Sequence, residues 1–318
     1  MRGQINVATN SIDIDDYRAS TNDSSVVQKL AIVDSLLLFA KQIGLKTEEN
    51  YQSYFDTRGA PISWNVSASQ PDTFKSYLWK FPIVGSLPYK GFFEKQRAER
   101  EYLRLKKLNY DVHLSPVSAY STLGYFSDPL LSTMLNLEIG SLSELIFHEL
   151  THTTVYLEGM TDFNESFASF VGVKATEEFL NRQFGPNSDH LNEYFNSLDD
   201  SKRFRLFMEV VVSRLDSLYS SESSREAKLN KRNKIFNQEK VRFSEILSEY
   251  NNKNYKIFLE WDVNNARLLS YKRYNSSMPN FQSVYKTLDK SIAKLISIVV
   301  ACSKTKVPVD CVEKTFNY

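Results

Sequence analysis

The apolar positions fall into regions of different texture along the chain. Residues 24–43 (SSVVQKLAIVDSLLLFAKQI) repeat them at helical spacing as far as Gly44, which predicts an opening helix with a glycine C-terminal cap. From Ile62 to Phe126 the pattern shifts to short aromatic and β-branched runs, PISWNVSAS, YLWKFPIVGSLPY and DVHLSPVSAYSTLGYF, broken by Pro and Gly. These predict the strands of a small sheet, with one helix at about 92–108 between them. Beyond Pro129 the spacing is helical nearly to the end. It includes two long charged helices, roughly 199–219 and 225–250, split by the turn SSESS, and a last helix near 281–301. A strand-rich region followed by helices predicts the α+β class, and the sequence holds no internal repeat or low-complexity tract.

Composition narrows the partners. The chain of 318 residues is 42% hydrophobic and 13% aromatic, so it can bury a large core. Its 39 basic and 38 acidic residues leave a net charge of +1, which gives no field to attract nucleic acid. The most basic run, REAKLNKRNKIFNQEKVR from Arg225 to Arg242, carries Leu229 and Phe236 and precedes Phe243. That seven-residue spacing predicts an amphipathic helix with a solvated charged face. The apolar runs AIVDSLLLFA and LISIVVAC are too short for a transmembrane helix. Cys302 and Cys311, in CSKTKVPVDC, match neither a metal knuckle nor a C-x-x-C redox pair, and admit either a small disulfide loop or two free thiols.

Chemistry concentrates in HELTHTTVYLEGMTDFNESFA, His148 to Ala168. His148 and His152 are four residues apart, so on a helix both imidazoles face one side and can reach one ion. An S-x-x-E capping box at Ser141 and Glu144, an apolar side of Leu145, Ile146, Leu150 and Val155, and Gly159 as terminator predict that helix. Catalytic Zn2+ takes three protein ligands and keeps a position for water. Glu165 is the third donor, in a second helix predicted to start at an Asp162 N-cap. Glu149 points about 100° around the helix from His148, where it can serve as general base. His113 and His190 lack such company and read as ordinary loop residues. No G-x-S-x-G elbow or phosphate loop offers a competing scheme.

The combination of HELTHTTVY and FNESFASFV with LPYKGFF, VSAYSTLGYFSDPLLSTML, YQSYFDTRGAPISWNV and NNARLLSYKRYNSSMPNF resembles a bacterial family of zinc aminopeptidases of the H-E-x-x-H gluzincin type. The resemblance runs over most of the chain. It implies a zincin-like fold in one catalytic unit, 1–318, made of a helix plus strand-rich part (1–128), the zinc-site helices (129–190) and a helical part (191–318). It also implies His148, His152 and Glu165 on zinc, Glu149 as general base, and a peptide substrate attacked at its N-terminus. Tyr274 stands where the resemblance places a tyrosine and is the candidate oxyanion donor. At Lys80 and Ser86 the chain departs from a disulfide expected in relatives.

Supporting roles follow from gluzincin chemistry. AYSTLGYF is the candidate edge strand for substrate, with Tyr120 and Ser121 lining the cleft unless they serve the core. Asn264 and Asn265 suit backbone clamps and equally helix caps. Asp128 and Asp162 are the acidic groups nearest the motif for holding a substrate amine. A metalloendopeptidase is the close alternative. An envelope-associated binding protein with a structural or vestigial zinc, using the helices at 199–250 as its surface, belongs to a different class. Relatives commonly begin at a matching GQ after a lipoprotein signal, so the start MRGQINVATN raises the expectation of an extracytoplasmic protein with an N-terminal lipid anchor outside the printed chain. A cytoplasmic enzyme starting at Met1 is the alternative.

Overall fold

The computed structural model describes residue 7 and residues 9–47, 50–81, 85–117, 128–274 and 281–316. It is α+β, and its internal contacts divide it into two compact units. The first comprises Met1–Ile62, Ser118–Glu193 and Ser276–Tyr318, the second Ser63–Val117 and Tyr194–Asn275.

In the first unit β1 (Ile12–Asp13) runs directly into α1 (Ile14–Ser20), where Asp13 caps the helix by accepting from the Asp15 and Asp16 amides. The chain therefore forms a strand and a short helix ahead of the opening helix read from the sequence. That helix, α2 (Ser24–Gln42), buries Leu30, Val33, Leu36, Phe39 and Ala40 along one stripe. It ends at Gly44, with φ of 91°, in a Schellman motif: Leu45 N–H donates to the Ala40 carbonyl at 2.9 Å and Gly44 N–H to Lys41 at 3.2 Å. β2 (Ser53–Phe55) lies between β1, antiparallel, and β8 (Leu130–Leu131), parallel, with Tyr54 opposite both Ile12 and Leu130.

After a 3-10 turn at Met134–Asn136, α4 (Ile139–Thr154) and α5 (Thr161–Phe184) pack against each other, and both contact α2. Phe39, Phe147 and Phe179 bring one aromatic ring each from these three helices, with centroids 5.7–6.1 Å apart. Phe163 and Phe167 of α5 pack on Phe281 of α9 (Phe281–Thr287), and Phe163 also meets Phe316 of α11 (Pro308–Phe316). The single helix expected at 281–301 is two, α9 and α10 (Ile292–Ser303), because Asp289 and Lys290 adopt left-handed φ of 57° and 56° between them. Cys302 and Cys311 are joined by a disulfide that links α10 to α11.

In the second unit the sheet order is β6-β3-β7, all antiparallel, from Tyr89–Phe92, Ser63–Ser69 and Asp111–Val117. α3 (Lys95–Lys107), close to the helix read at 92–108, covers it with Ala98 and Leu105 against Val66, Ala68 and Val112. A separate hairpin pairs β4 (Trp79–Phe81) with β5 (Gly85–Leu87) and sets Lys80 directly opposite Ser86. The position where relatives are expected to carry a disulfide is thus a cross-strand pair.

The long helices are α6 (Asp189–Tyr219), which starts ten residues before the expected 199, and α7 (Arg225–Ile246), followed by 3-10 turns at Leu247–Glu249 and Lys253–Glu260. Phe236 and Phe243 are buried with Phe204, Phe207 and Phe258, as the heptad spacing requires. The basic run is less solvated than its composition suggests. Arg232 donates to Asp111 at 2.8 Å and to the Pro71 carbonyl, Lys228 to the Tyr219 carbonyl and Lys240 to the Trp261 carbonyl. Those partners are distant in sequence, apart from Tyr219, so helical spacing could not reveal them. α8 (Asn265–Tyr274) completes the unit. Among the described residues no helix is long and apolar enough to cross a membrane.

Candidate metal centre

The helix carrying the two histidines forms where expected but is bounded differently. It starts at Ile139 after Glu138, with Leu142 N–H bonded to the Glu138 carbonyl, and no side chain caps it. Ser141 lies inside the first turn, so the Ser141–Glu144 capping box does not form. Lys29 holds the entry by donating to the Leu135 carbonyl at 3.2 Å and to that of Leu137. The helix ends at Thr154 rather than at Gly159. Three of its last four residues, Thr151, Thr153 and Thr154, are β-branched and turn their hydroxyls back onto carbonyls four residues earlier. Thr154 also accepts the Lys46 amide at 2.8 Å, and Val155 is extended.

Gly159, with φ of 78°, shapes the turn into α5 instead. Asp162 is the second residue of α5 and exposed, not its N-cap; Met160 occupies that position without a side-chain bond. The turn is fastened by Asn164. Its amide oxygen accepts from Leu157 N–H at 2.9 Å and its amide nitrogen donates to the Leu157 carbonyl at 2.7 Å, all of it buried.

This reversal brings Glu165 over the histidines. His148 Nε2 and His152 Nε2 are 3.1 Å apart, and each lies 3.6 Å from a different oxygen of the Glu165 carboxylate. One ligand atom from each of the three residues falls within 4.8 Å of the others. A tetrahedral ion with bonds of about 2.0–2.1 Å holds neighbouring ligand atoms roughly 3.3–3.4 Å apart, so the cluster has the dimensions of a metal site. His152 is buried, and among the described residues its Nδ1 has no hydrogen-bond partner.

The electrostatics are those of a negatively biased pocket. The two imidazoles, each 3.6 Å from a carboxylate oxygen, hold the Glu165 carboxyl down at about 2, against the opposing effect of burial. Burial is the largest single influence on His148 and disfavours its charge, yet Glu165, Glu149 and Glu144 together carry its pKa above the ordinary value. Glu149 is pushed up, chiefly by burial, with the two histidines opposing and Asp128 and Glu165 adding to the rise.

Asp128, read from the sequence as one of the two acidic groups nearest the motif, is buried with two partners that no motif marks, Asn50 and Tyr51. Tyr51, buried and left-handed at φ of 61°, donates its N–H to the Asp128 carbonyl at 2.7 Å, and Asp128 N–H donates to the Asn50 amide oxygen at 3.0 Å. Burial, then the charges of Glu149 and Asp128, raises the Tyr51 phenol well above its usual pKa, so it stays protonated beside the carboxylates. No local pattern marks a tyrosine for this backbone conformation.

Tyr120 and Ser121 lie outside the described residues. Tyr274 is the last residue of α8, and its side chain lies outside the description. Asn264 and Asn265 belong to the second unit. There Asn264 Oδ1 accepts the Arg267 amide at 3.0 Å and its Nδ2 donates to the Val112 carbonyl, while Asn265 bonds the Gln70 carbonyl and accepts from the Tyr219 hydroxyl. The two other histidines are not loop residues. His113 sits in β7 opposite Ser67, and His190 is in the first turn of α6 with its ring 4.6 Å from Phe184.

A family model described as "Putative aminopeptidase" matches residues 1–307. No curated protein and no solved structure matches the chain.

Proposed function

Since the chain belongs to the putative aminopeptidase family, which supports a peptidase, we propose that it is a zinc-dependent aminopeptidase of zincin-like design with its reaction centre on α4 and α5. The observation that carries this is the convergence of two imidazole nitrogens and one carboxylate within 4.8 Å. His148, His152 and Glu165 would hold the ion. Zinc in such a site lowers the pKa of a coordinated water to about 7 and polarises a carbonyl.

The protein's own part is proton handling and orientation. Glu149 follows His148 directly on α4, and burial keeps its pKa above the ordinary carboxylate value, closer to the pH at which a general base works best. It would take a proton from the nucleophilic water and deliver it to the departing amine. Tyr51 keeps its proton next to Glu149 and has the chemistry of a hydrogen-bond donor to a carboxylate or an oxyanion. The Asn164 clasp and the Gly159 turn set where Glu165 meets the histidines.

The same reading takes the protein to act outside the cytoplasm. The Cys302–Cys311 disulfide supports this, since such bonds persist in oxidising compartments. Thiol alkylation of protein taken directly from cells, read by mass, should find both cysteines blocked; free thiols would contradict it.

Metal analysis tests the central claim. Protein prepared without chelators should carry about one zinc per chain, His148→Ala should lose it, and Glu149→Gln should keep it while hydrolysis falls by about 10²–10⁴-fold. A zinc content unaffected by His148→Ala would remove the reading. Peptides with free and acetylated N-termini then separate exopeptidase from endopeptidase, the first requiring the free amine.

A further inference from the structure

The second unit contains a pocket of about 500 Å³ that the peptidase reading leaves unused. It lies between α3, β7 and the start of α8, and its lining combines opposite charges with apolar surface. Arg267 is the most informative group in it. Its guanidinium carbon sits over the Trp261 ring at 3.8 Å from the centroid, which anchors the group there, yet no carboxylate comes within ion-pairing distance among the described residues. A half-buried guanidinium held over an aromatic ring presents a fork of donors suited to one planar oxyanion, and leaving it unmatched is costly.

Asp262 lines the same pocket, is exposed, and likewise has no ion-pair partner among the described residues. Arg267 and Asp262 feel each other's charge but do not pair, so together they present a separated positive and negative pole. Glu99, the other acid in the lining, is engaged with Lys95 at 3.6 Å. His113 adds no charge near neutral pH, because burial first and the Arg267 cation second bring its pKa down to about 4. Beside these poles stand Leu103, Leu114 and the ring of Tyr102.

We propose that this pocket binds a zwitterionic amino acid with an apolar side chain, Arg267 taking the carboxylate, Asp262 the ammonium group, and Leu103, Leu114 and Tyr102 the side chain. A simple anion would meet Asp262, and a simple cation would meet Arg267. A zwitterion satisfies both, and the apolar wall selects its side chain.

Calorimetric titration of the whole protein with L-leucine tests this, with L-leucinamide, which lacks the carboxylate, and 4-methylpentanoate, which lacks the amine. An amino acid is also a product of N-terminal hydrolysis and could bind at the metal centre, so the titration is repeated in His148→Ala. Saturable binding of leucine that survives His148→Ala, weakens at least about tenfold in Arg267→Gln and in Asp262→Asn, and weakens similarly for both analogues supports the pocket. Should Arg267→Gln fail to fold, Asp262→Asn, at an exposed side chain with no ion-pair partner among the described residues, carries the test alone. Absence of leucine binding to the wild-type protein overturns the proposal. So does binding lost in His148→Ala and unchanged in Asp262→Asn, which would assign the ligand to the metal centre.

Discussion

Gly172 faces His148 so closely that a methyl group at 172 would lie 3.5 Å from the His148 Cβ and 3.0 Å from the Glu144 carbonyl oxygen. The absence of a side chain at that point lets α5 approach α4, and Glu165 is two turns earlier on the same face of α5. Gly172→Ala gains about 1 kcal/mol of helix propensity. Against this stands overpacking of about 1–3 kcal/mol, since the obstructing atom is backbone and can yield only if the helices part. The expected outcome is a lower melting temperature and weaker zinc affinity, read by competition with a chromophoric chelator. An alanine variant that melts higher and binds zinc as tightly as the wild type would show that the close approach does not set the site.

Asn164 makes the second structural demand on the centre. Replacing it with alanine leaves the buried N–H of Leu157 without a partner, at about 1–3 kcal/mol, while the Leu157 carbonyl keeps the Met160 N–H at 3.2 Å. Asn164→Ala should therefore lose about 1–3 kcal/mol in urea unfolding. It should also release Glu165, the residue that follows it, from its place over the histidines. Unfolding with and without zinc checks both effects, because ligand stabilisation shrinks as affinity falls. Unchanged unfolding would assign the clasp no part in holding the turn.

How much of this was readable beforehand depends on the range of the interaction concerned. The convergence of His148, His152 and Glu165 was legible, because the two histidines share a helix face by spacing and Glu165 opens the next helix. The α2 terminus at Gly44 was legible too, since a Schellman motif is local. The boundaries of the helix carrying the two histidines were not: Ser141 and Gly159 carry cap chemistry, but the extended entry at Glu138 and the β-branched Thr151, Thr153 and Thr154 at its end overrode them. Tyr51 beside Asp128, and Arg232 on Asp111, are pairings across 77 and 121 residues of sequence, which periodicity does not encode.

His113 sets a pH dependence separate from the metal centre. Burial, followed by the Arg267 cation, lowers its pKa from 6.5 to about 4. A depressed folded-state pKa means that the unfolded chain takes up the proton first. Stability contributed by the neutral ring is therefore complete above pH about 6.5, falls as the pH drops, and levels off below about 4. The span corresponds to about 3 kcal/mol. In urea unfolding at a series of pH values, His113→Gln should flatten the slope between pH 6.5 and 4 relative to the wild type. Parallel slopes would mean that the ring is charged or solvated in the folded protein.

The buried ion pair of the second unit allows the most discriminating stability test. One Asp111 oxygen accepts both from Arg232 at 2.8 Å and from the Asn265 amide at 2.8 Å, so it joins α7 to β7 and fixes the start of α8. Both side chains are almost covered, at 12% and 11% exposure, so neither charge can fall back on water if the other is removed. Asp111→Asn should cost about 3–5 kcal/mol in urea unfolding, more than Arg225→Gln, whose bridge to Asp72 is longer and whose own side chain is well exposed. Arg232→Met alone should also destabilise, because it strands the Asp111 carboxylate. The double variant Asp111→Asn, Arg232→Met should recover part of the loss, giving a coupling energy of at least about 1 kcal/mol in the double-mutant cycle. Strictly additive losses would show that the two side chains act separately and that their contact in the structure does not stabilise the unit.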